Sequence, residues 1–296
     1  MTMQVNEAIE RFQTYQRAND RSPHTIDCYR RDLKALARFS GNIQIQDVNH
    51  DLIHAFIVSP NVQVQKGGAQ RSQATINRAK AALRAFGAWL VMTENSSRNP
   101  AEGLSIRRTA RKSPTTFTDT ERKRILREVR ARSGDRAERD RAMLEVLLGT
   151  GIRLAELVGL DLEHLDLENK RFTIQAKGGN AETRFISVEM RSTLRRYLRH
   201  RGEAQTDNAA LFLSNRGTRI SARQVQARFQ LWIQWAGITR SGFSVHSTRH
   251  TFGTRLYRRT KDMVLVGRAL GHRTLEATAI YVHQDDDALS QALEGL

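Results

Sequence analysis

The sequence predicts a mainly α-helical protein with a small β insertion, an α+β fold arranged in two domains. Three observations support this prediction. The chain has 296 residues, which is more than a single hydrophobic core comfortably organises. Apolar residues recur at helical spacing through most of the sequence. One stretch without this periodicity divides the chain, and one region rich in β-branched and aromatic residues lies inside its second part.

The first hundred residues predict a set of helices. Four apolar residues share one face of the first helix: Val5, Ala8, Ile9 and Phe12. Ser22 is a suitable N-cap for a second helix, because Pro23 fits its first turn. A shorter helix over 47–58 and a loop over 60–70 should precede a long helix. That long helix buries Ile76, Leu83, Phe86 and Leu90.

The segment from about 103 to 113 lacks hydrophobic periodicity and predicts a linker. Thr118 and Glu121 then form a capping box that opens the second domain. We therefore predict three parts: a helical domain over 1–105, a basic linker over 106–112 and a mixed domain over 113–296.

The second domain is expected to contain one β-hairpin among its helices. Two runs have strand composition, Arg171 to Gln175 and Arg184 to Val188, and Lys177 lies between them beside two glycines. Helices are predicted over 189–201, 221–236, 247–258 and 261–270, and around Tyr281. Two tryptophans on one of these helices, Trp232 and Trp235, fit a core better than a base-stacking surface.

The charge of the chain favours a polyanionic partner. Lys and Arg total 48 against 31 Asp and Glu, a net charge of +17, and phosphate contacts release condensed counterions. The linker begins with four cations: Arg107, Arg108, Arg111 and Lys112. We expect them to follow a phosphate backbone, although a solvated linker would have the same composition. The stretch from Tyr281 to Leu296 has no Lys or Arg and better suits protein contact.

Several classes of protein are disfavoured by what the sequence lacks. Its apolar runs are shorter than the roughly 18–20 residues that cross a bilayer. The first eleven residues are polar and helix-patterned, unlike a signal peptide. Cys28 is the single cysteine, so neither an intramolecular disulfide nor a cysteine-based metal cluster can form. These features predict a cytoplasmic protein without a membrane partner.

One candidate site residue follows a predicted helix end. Gly151 is suited to end a helix and Arg153 to begin the next element. An arginine at such a place is usually a surface residue. Here Glu156, three positions later, could bind the guanidinium and orient it for a phosphate.

A second cluster contains His246, Arg249 and His250. His246 and Arg249 are three residues apart and share a helical face, whereas His250 is expected to point elsewhere. An imidazole beside a guanidinium suits an oxyanion, because the guanidinium would repel a metal ion. For His250 we favour packing and an ordinary hydrogen bond.

A third cluster joins Gly271 and His272 to Tyr281, nine residues after the histidine. Gly271 is expected to end a helix. A tyrosine among apolar neighbours is usually a core residue, so this cluster has little weight alone. Tyr257 is a competing nucleophile, but its surroundings favour packing or contact with backbone phosphate.

Taken together, the three clusters resemble the tyrosine recombinase, or phage integrase, family. Their order and spacing match its boxes: Arg153 in Thr-Gly-x-Arg-x-x-Glu-Leu, His246-x-x-Arg249, Leu-Gly-His272 and Tyr281. Lys177 matches the family's hairpin lysine. The resemblance covers nearly the whole chain, and its size and simplicity look most like the Xer and integron-like branch.

The resemblance implies a reaction on double-stranded DNA held in a C-shaped two-domain clamp. Tyr281 would attack the scissile phosphate, giving a 3′-phosphotyrosyl enzyme and a free 5′-hydroxyl. The resemblance implies that Arg153, Arg249 and His272 bind the phosphate and that Glu156 supports Arg153. It also implies that Lys177 protonates the leaving oxygen and that His246 helps to deprotonate the tyrosine. No ATP, metal ion or other cofactor would be required.

The resemblance also implies an assembly. The segment 286–296 is similar to the family's C-terminal segment that docks onto a neighbouring subunit, which predicts a homotetramer on two DNA sites. Whether a second recombinase joins it stays open. Three alternative functions remain: a type IB topoisomerase or telomere-resolving relative, a DNA-binding regulator without catalysis, and a metal-dependent nuclease that uses His246, His250, His272 and His283.

Overall fold

The computed structural model describes residues 3–107, 113–134, 136–175, 181–202, 208–272 and 274–282. The chain divides into two compact units, Met1–Arg111 and Lys112–Leu296. The described residues are mostly helical, and a three-stranded sheet lies in the second unit. The predicted fold class, mainly α with a small β insertion, is therefore confirmed. No helix in the described ranges has the length and apolar character that crossing a membrane requires.

The first unit is a bundle of helices around an aromatic core. Its helices are α1 (Val5–Ala18), α2 (Pro23–Ser40), α3 (His50–Val58), α4 (Pro60–Gln63) and α5 (Gln73–Met92). Ser22 caps α2 as predicted, because its hydroxyl accepts a hydrogen bond from the backbone N–H of Thr25. The rings of Phe12, Phe86 and Trp89 pack together at centroid distances of 5.5–5.8 Å.

Two local predictions in this unit need correction. The helix predicted over 47–58 begins only at His50, because the Asn49 side chain accepts a hydrogen bond from the N–H of Leu52 and so caps the helix there. The loop predicted over 60–70 contains a single helical turn, α4, which Pro60 opens with its fixed φ.

The second unit combines the sheet with the remaining helices. They are α6 (Asp119–Arg130), α7 (Ala137–Thr150), α8 (Leu154–Val158), α9 (Val188–Gly202), α10 (Ala222–Trp235), α11 (Val245–Thr260), α12 (Met263–Leu270) and α13 (Glu276–Val282). Thr118 and Glu121 form the predicted capping box of α6. Trp232 is fully buried in the core, and Trp235 packs against it with the Arg132 guanidinium 4.5 Å from its ring centroid. The core placement of Trp232 is thus confirmed, whereas Trp235 is half-buried at the edge of that core.

The sheet corrects the predicted hairpin. Its strands β1 (Leu165–Asp166), β2 (Arg171–Gln175) and β3 (Ala181–Phe185) are antiparallel in the order β1-β2-β3. The prediction placed the second strand at 184–188, which is three residues too late. Val188 instead begins α9, where the Ser187 hydroxyl accepts a hydrogen bond from the N–H of Met190. The turn of the hairpin, 176–180, lies outside the described residues.

Candidate active site

Arg249 lies where the C-terminal ends of two helices meet. It belongs to the second turn of α11, and its guanidinium donates hydrogen bonds to the carbonyls of Gly151 (2.8 Å) and Leu270 (2.7 Å). These carbonyls end α7 and α12, where backbone acceptors lack helical partners. Only 3% of Arg249 is exposed. Burial and the nearby Arg153 lower the pKa of Arg249 to about 10, so it stays positively charged at neutral pH.

Arg153 is held by Glu156 in the manner that the sequence predicted. The Glu156 carboxylate accepts one hydrogen bond from the Arg153 guanidinium and one from its backbone N–H, both at 2.7 Å. The Glu156 side chain is 7% exposed, whereas that of Arg153 is 41% exposed. The guanidinium is therefore oriented on one side by a buried carboxylate and open to a ligand on the other.

Two left-handed glycines allow these helix ends to converge. Gly151 has φ +63° and Gly271 has φ +65°, a conformation that side chains rarely adopt. A Cβ at residue 151 would lie 2.6 Å from the ring of Phe252, and one at residue 271 would overlap a carboxylate oxygen of Glu182. Both predicted helix ends are confirmed, and both positions leave no space for a side chain.

Tyr281 lies on α13, packed against α11. It is 1% exposed, and its ring is stacked nearly parallel to that of His272, with a centroid distance of 6.1 Å. Burial raises the pKa of the Tyr281 phenol, while the positive charges of Arg249 and Arg153 oppose that rise. The tyrosine is thus a protonated phenol at neutral pH, and the charges of the two guanidinium groups favour its ionised form.

His250 does not point away from this cluster, and that prediction was wrong. Its Nδ1 lies 3.3 Å from the Tyr281 hydroxyl, and its ring meets that of His246 edge to face at 4.6 Å. The expectation that His250 would pack and hydrogen-bond is confirmed, but its partner is the candidate nucleophile. The helical spacing of His246 and Arg249 gave no information about α13, which approaches α11 from the side of His250.

The two other histidines of the cluster, His246 and His272, are uncharged at neutral pH. Burial and the charge of Arg249 lower the pKa of His272 to about 4, and partial burial with Arg249 and Arg153 lowers that of His246. The Nδ1 of His272 lies 2.8 Å from the hydroxyl of the fully buried Thr278. This contact fixes the ring and leaves its Nε2 for another partner.

Sequence reasoning missed a third arginine at the site. Arg184, on β3, has a side chain that is only 6% exposed and pairs with Glu182 at 2.5 Å. Both groups lie against Gly271, because an added Cβ there would meet each of them within 2.7 Å. Strand alternation could have flagged residue 184 as inward-facing. Nothing in the sequence, however, indicates that Gly271 would cover it.

The structure also places two further predicted residues. Arg107 is exposed, and its carbonyl accepts a hydrogen bond from Asn77. Tyr257 packs beside the Tyr281 cluster with the Lys261 ammonium 5.9 Å from its ring centroid, so its predicted packing is confirmed. Several predicted residues lie outside the described residues: Lys177, His283, Arg108, Arg111, Lys112 and the segment 286–296.

A groove of about 830 Å³ opens beside the cluster. Arg153, Glu156, Glu182, Gly271 and His272 contribute to its walls. Within the described ranges, one group of potential metal ligands occurs, Asp161 with Glu163 and His164, and it excludes the site histidines. The guanidinium of Arg153 lines this groove and offers an oxyanion a planar pair of donors, and His164 of the potential metal-ligand group lines it too.

Comparison with known proteins extends this result to the whole chain. The model of the phage integrase family matches residues 115–288, and that of the N-terminal SAM-like domain of phage integrases matches residues 9–94. The chain belongs to the phage integrase family. Its members are tyrosine recombinases, as the resemblance of the motifs predicted.

Individual relatives indicate the branch of the family to which the chain is similar. Tyrosine recombinase XerC of Escherichia coli O157:H7 (strain EC4115 / EHEC) is 34% identical over 97% of this chain and 94% of that protein. XerC of Salmonella typhi is 34% identical over 92% and 89%. A crystal structure of XerH site-specific recombinase, in a post-cleavage complex with palindromic difH substrate, matches with a TM-score of 0.75 and 25% identity, over 90% of this chain and 78% of that chain.

These similarities identify a tyrosine recombinase of the Xer branch. The enzyme cleaves and rejoins double-stranded DNA at specific sites and exchanges the strands. The predicted activity and the predicted DNA substrate are thereby confirmed.

Proposed function

We propose that Tyr281 is the nucleophile of this recombinase. Its oxygen would attack the scissile phosphate, a 3′-phosphotyrosyl bond would form, and the 5′-oxygen would leave as a hydroxyl. The observation that carries the proposal is the convergence of Tyr281, His250 and His272 beside Arg249, whose two carbonyl contacts fix its position. Tyr257 packs against the outside of this cluster and is therefore a weaker candidate.

Arg153 and Arg249 would bind the non-bridging oxygens of the phosphate. A planar guanidinium matches two phosphate oxygens, and a fixed donor stabilises the charge that grows in the pentavalent transition state. Glu156 would act by orienting Arg153. His272 would donate from Nε2, with Thr278 holding the opposite nitrogen.

Proton transfer would involve two further residues. Lys177 would protonate the departing 5′-oxygen, a role supported by the resemblance of the hairpin motif alone, since this lysine lies outside the described residues. His246 would assist in removing the tyrosine proton, consistent with an imidazole that is uncharged at neutral pH. The bond energy stays in the phosphotyrosine, so neither ATP nor a metal ion would be needed.

A suicide DNA substrate, nicked beside the cleavage position, tests the nucleophile. Wild type, Tyr281→Phe and Tyr257→Phe would be incubated with it in excess EDTA, and SDS-resistant adducts would be measured. We expect an adduct with wild type and Tyr257→Phe and none with Tyr281→Phe. An adduct with Tyr281→Phe would exclude this tyrosine, and a strict need for Mg²⁺ would exclude the metal-independent mechanism.

For DNA binding, we propose that residues 1–105 form a core-binding domain and residues 113–296 the catalytic domain of a C-shaped clamp. The match of 9–94 to the SAM-like domain supports the first assignment, and the structure of XerH bound to its difH substrate supports DNA binding by a chain of this fold. The basic linker 106–112 would follow the backbone. Replacing Arg107, Arg108, Arg111 and Lys112 by alanine should lower the slope of log K against log salt by about 0.9 for each phosphate that the variant no longer neutralises.

For assembly, we propose a homotetramer on two DNA sites, joined by docking of segment 286–296 onto a neighbour. A solved lambda integrase tetramer on a Holliday junction supports the number of subunits. Deleting 286–296 should weaken cooperative assembly more than binding to a single site, as measured by gel shift. Equal losses would contradict tail docking. Because its substrate is DNA, we place the enzyme in the cytoplasm with the nucleoid, and a second recombinase is a further candidate partner.

A relaxation assay separates recombination from topoisomerase activity. Supercoiled plasmids without a recombination site should remain supercoiled, because cleavage would depend on the paired sites. Efficient relaxation of such plasmids would favour the topoisomerase alternative.

A further inference from the structure

The hydroxyl of Tyr281 has a defined hydrogen-bond partner before any DNA is bound. Its oxygen lies 3.3 Å from Nδ1 of His250, which is 31 residues earlier in the chain. Among the described residues, this is the one hydrogen bond that the hydroxyl makes. His246, one helical turn earlier on α11, makes no such contact with Tyr281 within the described part of the chain.

The surroundings of the pair keep both groups uncharged. His250 faces His246 on its own helix, His272 beyond α12 and the guanidinium of Arg249. Burial and these neighbours lower its pKa to about 4, so its ring is neutral near pH 7. The Tyr281 phenol is protonated at the same pH, because burial raises its pKa. In the tautomer that carries the imidazole proton on Nε2, Nδ1 of His250 accepts the hydrogen bond and the phenol donates it.

Ring packing and the hydrogen bond constrain different motions of the tyrosine. Gly253 and His272 contact the ring and fix its position, but neither determines the rotation of the O–H bond. A phenol prefers its O–H in the ring plane, in one of two opposite directions. When the proton points to His250, the in-plane lone pair on the other side of the oxygen is free to meet phosphorus.

We propose that His250 is a positioning residue for the nucleophile, accepting the Tyr281 hydrogen bond so that the attacking lone pair is directed away from α11. This inference rests on the proposed function, since it assumes that Tyr281 attacks the phosphate. It assigns the two neighbouring histidines different tasks. His250 orients the phenol before the reaction by accepting its one hydrogen bond. When the phenol oxygen attacks phosphorus, the O–H bond turns away from His250, and His246 assists the removal of that proton.

The test compares two substitutions that differ in one hydrogen-bond acceptor. His250→Leu fills the site without an acceptor, whereas His250→Asn places its Oδ1 near the position of Nδ1. Single-turnover cleavage of the suicide substrate would be measured together with the affinity for intact DNA. We expect His250→Leu to lower the cleavage rate by about 10- to 100-fold, the order expected for a misplaced reacting group, and to leave the affinity within about twofold. His250→Asn should recover cleavage to within about threefold of wild type.

His246→Asn is the matched control, because it makes the same change one turn earlier on the same helix. Its single-turnover cleavage rate should fall below that of His250→Asn. A His250→Leu enzyme that folds and cleaves at the wild-type rate would overturn the inference. A second result would also overturn it: His250→Asn is as slow as His250→Leu, and the rate returns when 3-fluorotyrosine replaces Tyr281. Because 3-fluorotyrosine is a more acidic phenol, such a rescue indicates that His250 acts in proton transfer.

The same assay separates this inference from the proposed function. If Tyr281→Phe still forms the adduct, the nucleophile itself is wrong and the inference fails with it. If the adduct depends on Tyr281 while His250→Leu retains the full rate, only the inference is overturned. Should His250→Leu fail to fold, shown by loss of the cooperative thermal transition, His250→Ala takes its place in the comparison and has the same expected loss.

Discussion

A Cβ atom on residue 253 would lie 2.6 Å from Cζ of Tyr281, so the bare backbone of Gly253 is what allows the tyrosine ring to pack against α11. A similar contact occurs at α12, where a Cβ on Gly267 would lie 3.2 Å from the hydroxyl oxygen of Thr278. Two glycines on two helices therefore set how closely α13 approaches. Because α13 carries Tyr281, they also set the position of the candidate nucleophile.

Gly253→Ala should displace Tyr281 and reduce cleavage. The methyl group would meet three ring atoms within 2.9 Å, so α13 must shift. Overpacking costs about 1–3 kcal/mol, against roughly 1 kcal/mol gained in helix propensity, so the protein should remain folded. We expect single-turnover cleavage to fall by about 10- to 100-fold, with little change in DNA affinity.

Gly149→Ala is the matched control for this prediction. Gly149 also lies inside a helix, but the added methyl would meet only the terminal carbon of the flexible Met190 side chain, far along the chain from Tyr281. Cleavage by Gly149→Ala should stay near the wild-type rate. Equal losses in the two variants would show that the effect is not specific to the tyrosine.

Glu156→Ala should impair catalysis through Arg153. The buried carboxylate orients the half-exposed guanidinium by accepting one hydrogen bond from it, and it accepts a second from the backbone N–H of Arg153. We expect a loss of roughly 10- to 1000-fold in cleavage rate, within the range for removing a fixed donor from a transition state. Glu168→Ala, which removes the exposed partner of Arg195, should change the rate little. Full activity of Glu156→Ala would show that Arg153 needs no support.

The stability of the second unit should fall between about pH 6.5 and pH 4. His250 and His272 have pKa values lowered from 6.5 to about 4 in the folded protein. In this window the unfolded chain binds more protons than the folded one, so acid favours unfolding. The stabilisation is complete above pH 6.5 and is lost as the pH falls to about 4. Urea unfolding at several pH values should show a shallower decline for His250→Asn than for wild type. Parallel declines would contradict the shifted pKa of His250.

Asp140→Ala should strongly destabilise the second unit. The carboxylate is 2% exposed, and one of its oxygens accepts hydrogen bonds from Arg228 and from the indole of Trp232. Removing it leaves a partly buried guanidinium and a buried N–H without their partner, which costs about 3–5 kcal/mol. Glu7→Ala, which removes an exposed pair with Arg11, should cost at most about 1 kcal/mol. Chemical unfolding of both variants gives the comparison.

Most helix boundaries could be predicted because they depend on neighbours in the sequence. Ser22 contacts Thr25, Thr118 contacts Glu121, and Arg153 contacts Glu156, each three residues away. Such contacts form within a single turn, so residue types at fixed spacing reveal them. The start of β3 was misplaced because Ala181 and Glu182 have low strand propensity, although both pair with β2.

The sequence by itself determined the family, the order of the site motifs and the chemical groups available at the site. Only the tertiary structure decided which of those groups meet. Arg249 contacts a carbonyl 98 residues away, Tyr281 reaches His250 across 31 residues, and Arg184 lies under Gly271. These contacts depend on how whole helices pack, and helix packing depends on the shape of both surfaces rather than on the spacing along either one. For that reason the motif indicates the candidate nucleophile, whereas its hydrogen-bond partner could not be predicted.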